Sequence, residues 1–304
     1  MEIQEIQKEI LQLKKEQDVL ILAHSYERQE ITDIADVVGD SFRLATAANQ
    51  ISQKTVLMCG VRFMAETVKI LSPEKRVLLS QKEAGCPMAD GLSSEKLRAL
   101  QRQYPNAVTV AYVNTTAEVK ALSDVCVTSS SAVKVISRIP EKEILFVPDP
   151  NLGRYCQSRF PEKTFHFFEG GCPVHMIASY QDVAHQKALH PNALLLVHPE
   201  CVQEVVQGAD YVGSTSGIME FVRKSAHDEF IIGTENTISE HLEYEFPDKK
   251  FYPLSKNLIC ADMRLTTLKS VRDCLLKGGE EIVLDEALRL AAKKSIDKMI
   301  ELGG

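Results

Sequence analysis

Glu169-Gly170-Gly171-Cys172-Pro173-Val174-His175, near the middle of the 304-residue chain, is the stretch on which the fold prediction rests. Its cysteine lies on a turn, because glycine admits unusual backbone angles and proline interrupts regular structure. Gly85-Cys86-Pro87-Met88 and Ile259-Cys260-Ala261-Asp262-Met263 are turns of the same kind. Steps of 86 and 88 residues separate the three cysteines. Such nearly equal steps predict one unit repeated three times, whose thiolates converge on a metal or cluster site.

Further landmarks repeat in a common register. Each copy begins with an apolar run typical of a buried strand, followed by an aspartate and later by a Pro-acidic-Lys triplet. The runs are Asp18–His24, Asn106–Tyr112 and Asn192–His198, the aspartates are Asp36, Asp124 and Asp210, and the prolines are Pro73, Pro161 and Pro247. Steps of 88 and then 86 residues relate the members of each series, which predicts a unit of about 87 residues.

Each unit reads as strand, helix, short strand, helix, strand, helix, strand, cysteine turn and helix. In the first copy we predict strands at Val19–Ala23, Thr55–Cys59 and Val77–Ser80 and helices at Thr32–Val37, Phe42–Gln50, Phe63–Leu71 and Glu95–Gln103. Alternating strands and helices predict parallel sheets covered on both faces. The predicted fold is therefore α/β, with three homologous αβα-sandwich repeats around a pseudo-threefold axis. The boundaries are an N-terminal helix at 1–17, repeats at 18–105, 106–191 and 192–278, and a C-terminal helix at 279–304, with its amphipathic pattern starting at Glu280.

Charge and hydropathy exclude several classes of protein. The net charge of −7 argues against nucleic-acid binding, which depends on Lys and Arg neutralising phosphates. No apolar run reaches the roughly 18 residues needed to span a membrane. The first 16 residues form an amphipathic helical pattern without a signal-peptide core, so we expect a cytoplasmic protein. In that reducing compartment the eight cysteines are not expected to form disulfides.

Polar side chains follow the first strand of each repeat. His24, Tyr112 and His198 stand at the strand ends, where ligands collect in parallel α/β sheets, and we expect them to face one another. Two residues further on are Tyr26, Asn114 and Glu200. Glu200 could act as a general base or bind a cationic imine, Asn114 could donate to a carboxylate, and Tyr26 could lie on a closing loop. The alternative is that these residues only cap strands or are solvated.

Three hydroxyl residues fall at predicted helix starts: Ser41, Ser129 and Thr215. Such residues are N-caps by default, a role that needs no ligand. Hydroxyls together with free backbone N–H groups and a helix dipole also form anion sites. Three of them around one axis would suit a phosphate and two carboxylates.

The three cysteines leave two metal hypotheses open. Zinc held by three Cys and one His, with His175 as the histidine, would be a closed structural site. A [4Fe–4S] cluster held by three thiolates would leave one iron open to bind substrate as a Lewis acid. The other cysteines fall in no threefold register and are interpreted as ordinary small apolar or surface residues; they are Cys59, Cys126, Cys156, Cys201 and Cys274.

Taken together, these motifs identify a family resemblance over almost the whole chain, from about residue 18 to 278. The chain resembles quinolinate synthase, the iron–sulfur enzyme of NAD biosynthesis. The motifs that carry the resemblance are Ala23–Tyr26, Gly39–Ser41, Ala111–Asn114, Thr128–Ser130, Gly171–His175, His198–Glu200, Gly213–Ser216 and Cys260–Met263. None is specific alone, but their combination is.

The resemblance implies condensation of iminoaspartate (iminosuccinate) with dihydroxyacetone phosphate to quinolinate, with release of phosphate and water. It implies that Cys86, Cys172 and Cys260 hold a [4Fe–4S] cluster. The implied substrate-binding residues are His24, Ser41, Tyr112, Val113, Asn114, Ser129, His198, Pro199, Glu200 and Thr215. The implied catalytic residues are Glu200 for proton transfer, Tyr26 as a gate, and His24, Tyr112 and His198. An aspartate-oxidising enzyme is a candidate supplier of the imine.

The chain departs from the family pattern after the third cysteine. Some family members continue from the third ligand as Cys-x-x-Cys-x-x-Cys, whereas here Met263 occupies the position of the second of these cysteines and the next cysteine is Cys274. A redox-regulating disulfide is therefore not expected. The two rival functions are a zinc-dependent lyase or hydrolase, and a non-enzymatic threefold binding protein for a phosphorylated metabolite with structural zinc.

Overall fold

The computed structural model describes residues 2–303, and all structural statements concern those residues. Positions 1 and 304 of the two predicted terminal helices lie outside them. A helix, α1 (Ile3–Glu16), precedes three modules that each contain one parallel sheet.

The modules repeat one order of elements. The first contains β1 (Val19–His24), α2 (Gln29–Thr32), β2 (Val37–Gly39), α3 (Ser41–Gln50), β3 (Thr55–Cys59), α4 (Arg62–Leu71), β4 (Arg76–Leu79), α5 (Pro87–Gly91) and α6 (Ser94–Gln103). The second contains β5 (Val108–Tyr112), α7 (Ala117–Leu122), β6 (Val125–Val127), α8 (Ala132–Ser137), β7 (Glu143–Val147), α9 (Pro150–Gln157), β8 (Thr164–Phe167), a 3₁₀ turn (His175–Ile177) and α10 (Tyr180–Leu189). The third contains β9 (Leu194–Val197), α11 (Gln203–Gln207), β10 (Tyr211–Val212), α12 (Thr215–Lys224), β11 (Glu229–Gly233), α13 (Thr237–Glu245), β12 (Lys250–Pro253), a 3₁₀ turn (Met263–Leu265) and α14 (Leu268–Lys277).

The strand order is the same in all three sheets. The second strand of each module lies at one edge, followed by the first, third and fourth, giving β2-β1-β3-β4, β6-β5-β7-β8 and β10-β9-β11-β12. These pairs are all parallel. The predicted α/β class with three repeated parallel sheets is confirmed. Parallel order matters for function, because it places the carboxyl ends of all strands of a sheet at the same edge.

The repeated aspartates join the first two strands of each module. Each Oδ2 atom accepts a hydrogen bond at 2.8 Å from the backbone N–H of a residue in the first strand. The backbone N–H of the same aspartate donates to the carbonyl of that residue. The pairs are Asp36 with Ile21, Asp124 with Thr109 and Asp210 with Leu195. This double contact guides the chain into the edge strand beside the first strand. It also explains why a helix predicted at Thr32–Val37 is wrong: α2 ends at Thr32, and Val37 already begins β2.

The repeated lysines stabilise the turn before the third strand of each module. Their ammonium groups donate to carbonyls just beyond the end of the preceding helix, where backbone acceptors lack helical partners. Lys75 donates to the carbonyls of Ile51 and Gln53, and Lys163 donates to those of Ile139 and Glu141. Lys249 makes the equivalent bonds in the third module. The Pro-acidic-Lys triplet is therefore a structural device.

The C-terminal segment departs from the prediction of one helix from Glu280. Gly278 has φ +80°, a conformation that favours glycine and ends α14. A short strand, β13 (Glu280–Glu281), then pairs antiparallel with β4, and α15 (Glu286–Gly303) follows. Ala292, Ile296 and Met299 of α15 are buried in the core of the second module. No helix among the described residues is long and apolar enough to cross a membrane.

Candidate functional site

The three modules enclose a cavity of about 310 Å³ to which each contributes strand ends and its cysteine turn. Almost all the predicted site residues line it: His24, Tyr26, Ser41, Cys86, Tyr112, Val113, Asn114, Ser129, Cys172, His198, Glu200, Thr215 and Cys260. Pro199 is not among the lining residues. The cavity is therefore where residues far apart in sequence come together.

Two histidines at the strand ends share a local geometry. The backbone N–H of Tyr26 donates to Nδ1 of His24 at 3.1 Å, and that of Glu200 donates to Nδ1 of His198 at 3.3 Å. Burial lowers the pKa of His24 to about 4 and that of His198 to about 3. Both rings are therefore neutral near pH 7. Because Nδ1 is the acceptor, the proton resides on Nε2, and each ring offers one N–H donor.

Glu200 is buried, with 3% exposure, among groups that stabilise its charged form. Its Oε2 lies 2.8 Å from Nδ1 of His175, and its Oε1 lies 3.9 Å from Nδ1 of His198. Burial acts to raise the pKa of Glu200, but the facing His175 imidazole and a hydrogen bond from Tyr112 outweigh it and lower the pKa. Glu200 is therefore a carboxylate near pH 7.

A chain of hydrogen bonds joins all three modules behind Glu200. Nε2 of His175, from the second module, is 2.9 Å from the Thr234 hydroxyl of the third. The Tyr26 hydroxyl, from the first module, lies 3.0 Å from Thr234 Oγ1 and 3.0 Å from Thr215 Oγ1. Both ring nitrogens of His175 thus face protein groups. The Tyr26 hydroxyl therefore joins the first module to the third through both threonines.

The hydroxyl residues at the helix starts are not the N-caps. Asp40 caps α3 by accepting from the Arg43 N–H, and Ser214 caps α12 by accepting from the Gly217 N–H. Ser41 and Thr215 are the first helical residues instead. Ser129 lies in the turn before α8. The alternative role as N-caps therefore does not hold for Ser41 and Thr215, because the preceding residue supplies the cap in both modules. The side chains of Ser41 and Thr215 are left to face the cavity.

The three cysteines of the repeat are free thiols in partly buried positions on the cavity wall. Burial raises the pKa of Cys86 to about 12 and that of Cys260 to about 11, and it also raises that of Cys172. Such thiols ionise only against a strong positive charge, which a bound metal supplies. The donor chemistry fits a metal group because three free thiols, one from each module, line the same cavity.

One cysteine of the repeat belongs to a group of metal-capable side chains. Within residues 2–303, the one group of such side chains whose ligand atoms lie close together, within 4.8 Å, is Cys172, His175 and Glu200. The cavity therefore contains a thiol, an imidazole and a carboxylate that can contribute to a metal site.

Comparison with known proteins agrees with the motifs. A family model described as quinolinate synthetase A protein matches residues 8–301. The quinolinate synthase of Caldicellulosiruptor bescii is 47% identical over 303 residues, covering 100% of both chains. That of Methanoregula boonei is 47% identical over 297 residues, or 98% of each chain, and that of Clostridium perfringens strain 13 is 45% identical over 300 residues, covering 99% of this chain and 100% of its relative.

The chain belongs to the quinolinate synthase family. The resemblance drawn from the motifs is confirmed, as is the prediction that the chain is an enzyme. The matches cover 98–100% of these relatives and of this chain, so they include all three modules.

Two residues at the site of this quinolinate synthase family member were not predicted from the sequence. Thr234 and Glu235 directly follow β11, the third strand of the third module, and Glu235 lines the cavity. The signal that predicts His24, a polar residue just after a buried strand, is also present after this third strand and identifies both residues. The cysteines outside the register are all buried, so of the two roles expected for them, small apolar or surface residues, the first applies.

Proposed function

We propose that this enzyme condenses iminoaspartate (iminosuccinate) with dihydroxyacetone phosphate to form quinolinate, releasing phosphate and water. One observation carries the proposal: three thiols, two neutral imidazoles, an ionised glutamate and hydroxyls from all three modules meet in one cavity. A cavity of about 310 Å³ can hold two small anionic substrates together. Such enclosure converts a reaction between two molecules into one between held groups.

The proposed cofactor is a [4Fe–4S] cluster held by Cys86, Cys172 and Cys260. Such a cluster would supply an iron without a protein thiolate, able to act as a Lewis acid toward substrate oxygens. The assignment is supported by the position of the three thiols, since each module contributes one of them to the same cavity.

We assign the anionic groups of the substrates to the neutral donors of the cavity. His24 and His198 each offer an Nε2–H, and such neutral donors can bind a carboxylate without forming a fixed ion pair. Ser41, Ser129 and Thr215 would bind the phosphate and the remaining carboxylate oxygens, the first and last from the start of a helix. Tyr112, Val113 and Asn114 would contact substrate beside them, whereas Pro199 lies outside the lining and would act only through its neighbours.

Glu200 is the proposed proton-transfer residue. It is ionised and therefore ready to accept a proton or to hold a cationic imine. A carboxylate with so low a pKa is a weak base, so we propose that His175, 2.8 Å away, shares the proton. Tyr26 would serve as the gate, because its hydroxyl holds two modules together and must release Thr215 or Thr234 for its loop to move.

The proposed setting follows from the chemistry. Quinolinate formation would place the enzyme in NAD biosynthesis, in the cytoplasm, with an aspartate-oxidising enzyme supplying the imine. We also propose that residues 18–105, 106–191 and 192–278 are three copies of one unit.

The proposal is tested by anaerobic reconstitution of the protein followed by incubation with both substrates. Mass spectrometry should detect quinolinate and a phosphate assay should detect an equal amount of phosphate. Omission of either substrate should abolish both signals. A reconstituted protein that carries its cluster but forms no quinolinate would overturn the proposed reaction.

A further inference from the structure

The backbone N–H of every cysteine in the repeat donates to a carboxylate. Cys172 donates to Oδ2 of Asp149 at 3.1 Å, and Cys260 donates to Oε1 of Glu235 at 3.3 Å. Cys86 donates to Oδ2 of Asp90 at 3.1 Å. These contacts are made by the main chain of the cysteines, so they leave the thiols free.

Asp149 and Glu235 occupy the same place in two modules. They are 86 residues apart, the repeat step, and each follows the third strand of its module by two residues. Both are fully buried, with 0% exposure. The second oxygen of each carboxylate accepts from the following helix, at 2.7 Å from the Leu152 N–H and 2.8 Å from the Thr237 N–H. Each acid therefore ties a cysteine turn to a helix start.

In the first module the carboxylate comes from a different position. Val61 occupies the equivalent place, 88 residues before Asp149, and its side chain has no hydrogen-bond acceptor. Asp90, four residues after Cys86 on α5, supplies the carboxylate instead. A carboxylate therefore meets the cysteine N–H in all three modules, although in the first it comes from a different position.

Glycine before the cysteine admits the acid in two modules. Gly171 has φ +123°, and a Cβ there would lie 2.9 Å from the sulfur of Met176 and 3.4 Å from Oδ2 of Asp149. A Cβ at Gly85 would lie 3.0 Å from Oδ2 of Asp90. Such turns are intrinsically flexible, because glycine has more conformational freedom than other residues. A fixed partner for the next N–H removes that freedom.

We propose that Asp149, Glu235 and Asp90 are positioning residues that hold the three cysteine turns in the geometry required by the cluster. When the backbone N–H of a cysteine is held in place, the direction of its Cα–Cβ bond is also fixed, and this orients the Sγ atom. Partners beyond the metal ligands have this effect in other metal sites, where their loss costs about 10–100-fold in affinity or activity. The inference rests on the proposed cluster site.

The decisive variant is Asp149→Ser. Serine is as good an N-cap as aspartate, but it has one short oxygen and cannot serve Leu152 and Cys172 together. After anaerobic reconstitution, an iron chelator is added and bleaching near ~400 nm gives the rate of cluster loss. We expect Asp149→Ser to lose its cluster about 10-fold faster than wild type or more, with an unchanged melting temperature for the cluster-free protein. Asp149→Ala should lose its cluster faster and also melt earlier.

Two further variants bound the interpretation. Asp90→Ala should accelerate cluster loss less than Asp149→Ser, because Asp90 is exposed and water can replace it. Asp124→Asn is the matched control: it alters an aspartate of the second module that accepts a backbone N–H, but from Thr109, away from the cysteines. It should release its cluster at the wild-type rate even if it melts earlier.

Wild-type rates in Asp149→Ser would overturn the inference and reduce Asp149 to a helix cap. Equal acceleration in Asp124→Asn would overturn it too, because general destabilisation would then explain the loss. A wild-type protein that takes up no cluster would instead overturn the proposed cofactor, and the inference with it.

Discussion

The outer parts of the modules and the cavity use the same threefold repeat in opposite ways. At the periphery the same residue type recurs in every module, as in Asp36, Asp124 and Asp210, and in Lys75, Lys163 and Lys249. At the cavity the positions recur but the residues differ, as in His24, Tyr112 and His198, or in Tyr26, Asn114 and Glu200. A structural contact is needed identically three times. A cavity for unlike substrates needs different chemistry on each side.

The cysteines are the exception, since they face the cavity yet are identical in all three modules. If they bind one cluster, Cys172→Ala should abolish both iron binding and quinolinate formation while the protein stays folded. Iron analysis, product assay and circular dichroism measure the three quantities. Cys156→Ala is the control, because this buried cysteine of the same module is outside the register. Near-wild-type activity in Cys172→Ala would show that the cysteines do not hold a cofactor needed for activity.

Glu200 tests whether a residue unique to one module carries chemistry. Glu200→Gln keeps the size of the side chain but removes the charge, so it should retain the cluster and lose about 10²–10⁴-fold in kcat. Glu204→Gln, on the exposed side of the same segment, should leave kcat unchanged. An unaltered kcat in Glu200→Gln would show that the charge of Glu200, which only one module carries at this position, does not take part in catalysis.

Glu27 is a buried residue that differs between the modules, because Thr115 and Cys201 occupy the equivalent positions. It tests whether such a difference also affects stability. It is 1% exposed, and burial raises its pKa to about 8. The unfolded chain releases this proton near pH 4.5, so stability from Glu27 is present below that pH and is lost up to about pH 8.

The expected slope is a loss of up to about 1.4 kcal/mol in unfolding free energy per pH unit in that window. Urea unfolding at several pH values measures it. Glu27→Gln should reduce the slope of unfolding free energy against pH. Glu5→Gln, at an exposed position of α1, should leave the slope unchanged. Equal slopes in wild type and Glu27→Gln would contradict the assignment.

The smallest expected effect lies at the periphery. Lys163→Met removes the ammonium group that bonds the carbonyls of Ile139 and Glu141, and it should lower the unfolding free energy by about 1–3 kcal/mol. It should leave kcat unchanged, since Lys163 does not line the cavity. A variant of normal stability but low kcat would break the division between periphery and cavity.

Much of the fold could be predicted because the repeat was visible three times. The strand predicted at Thr55–Cys59 matches β3 residue for residue, and the helix predicted at Phe63–Leu71 differs from α4 by one position. The strand β13 could not be predicted, because its two residues, Glu280 and Glu281, have no apolar pattern and pair only with the neighbouring β4.

The site was predicted as a set of positions, but not as a network. Residues after the first strands were found from the register, and the structure places them in one cavity. The contact between His175 and Glu200 joins different modules, and no local pattern encodes it. The link from Asp149 to Cys172 was hidden for the same reason, since 23 residues separate the two in the chain.

The most direct test of the central claim, that three equivalent modules deliver one thiolate each to a single cluster, is iron and sulfide analysis of anaerobically purified protein with its absorption spectrum. We predict a brown protein with a broad band near ~400 nm and about four irons and four sulfides per chain. Single replacements of Cys86, Cys172 and Cys260 should each abolish the band. A colourless protein that holds one zinc, even after anaerobic reconstitution, would contradict the account.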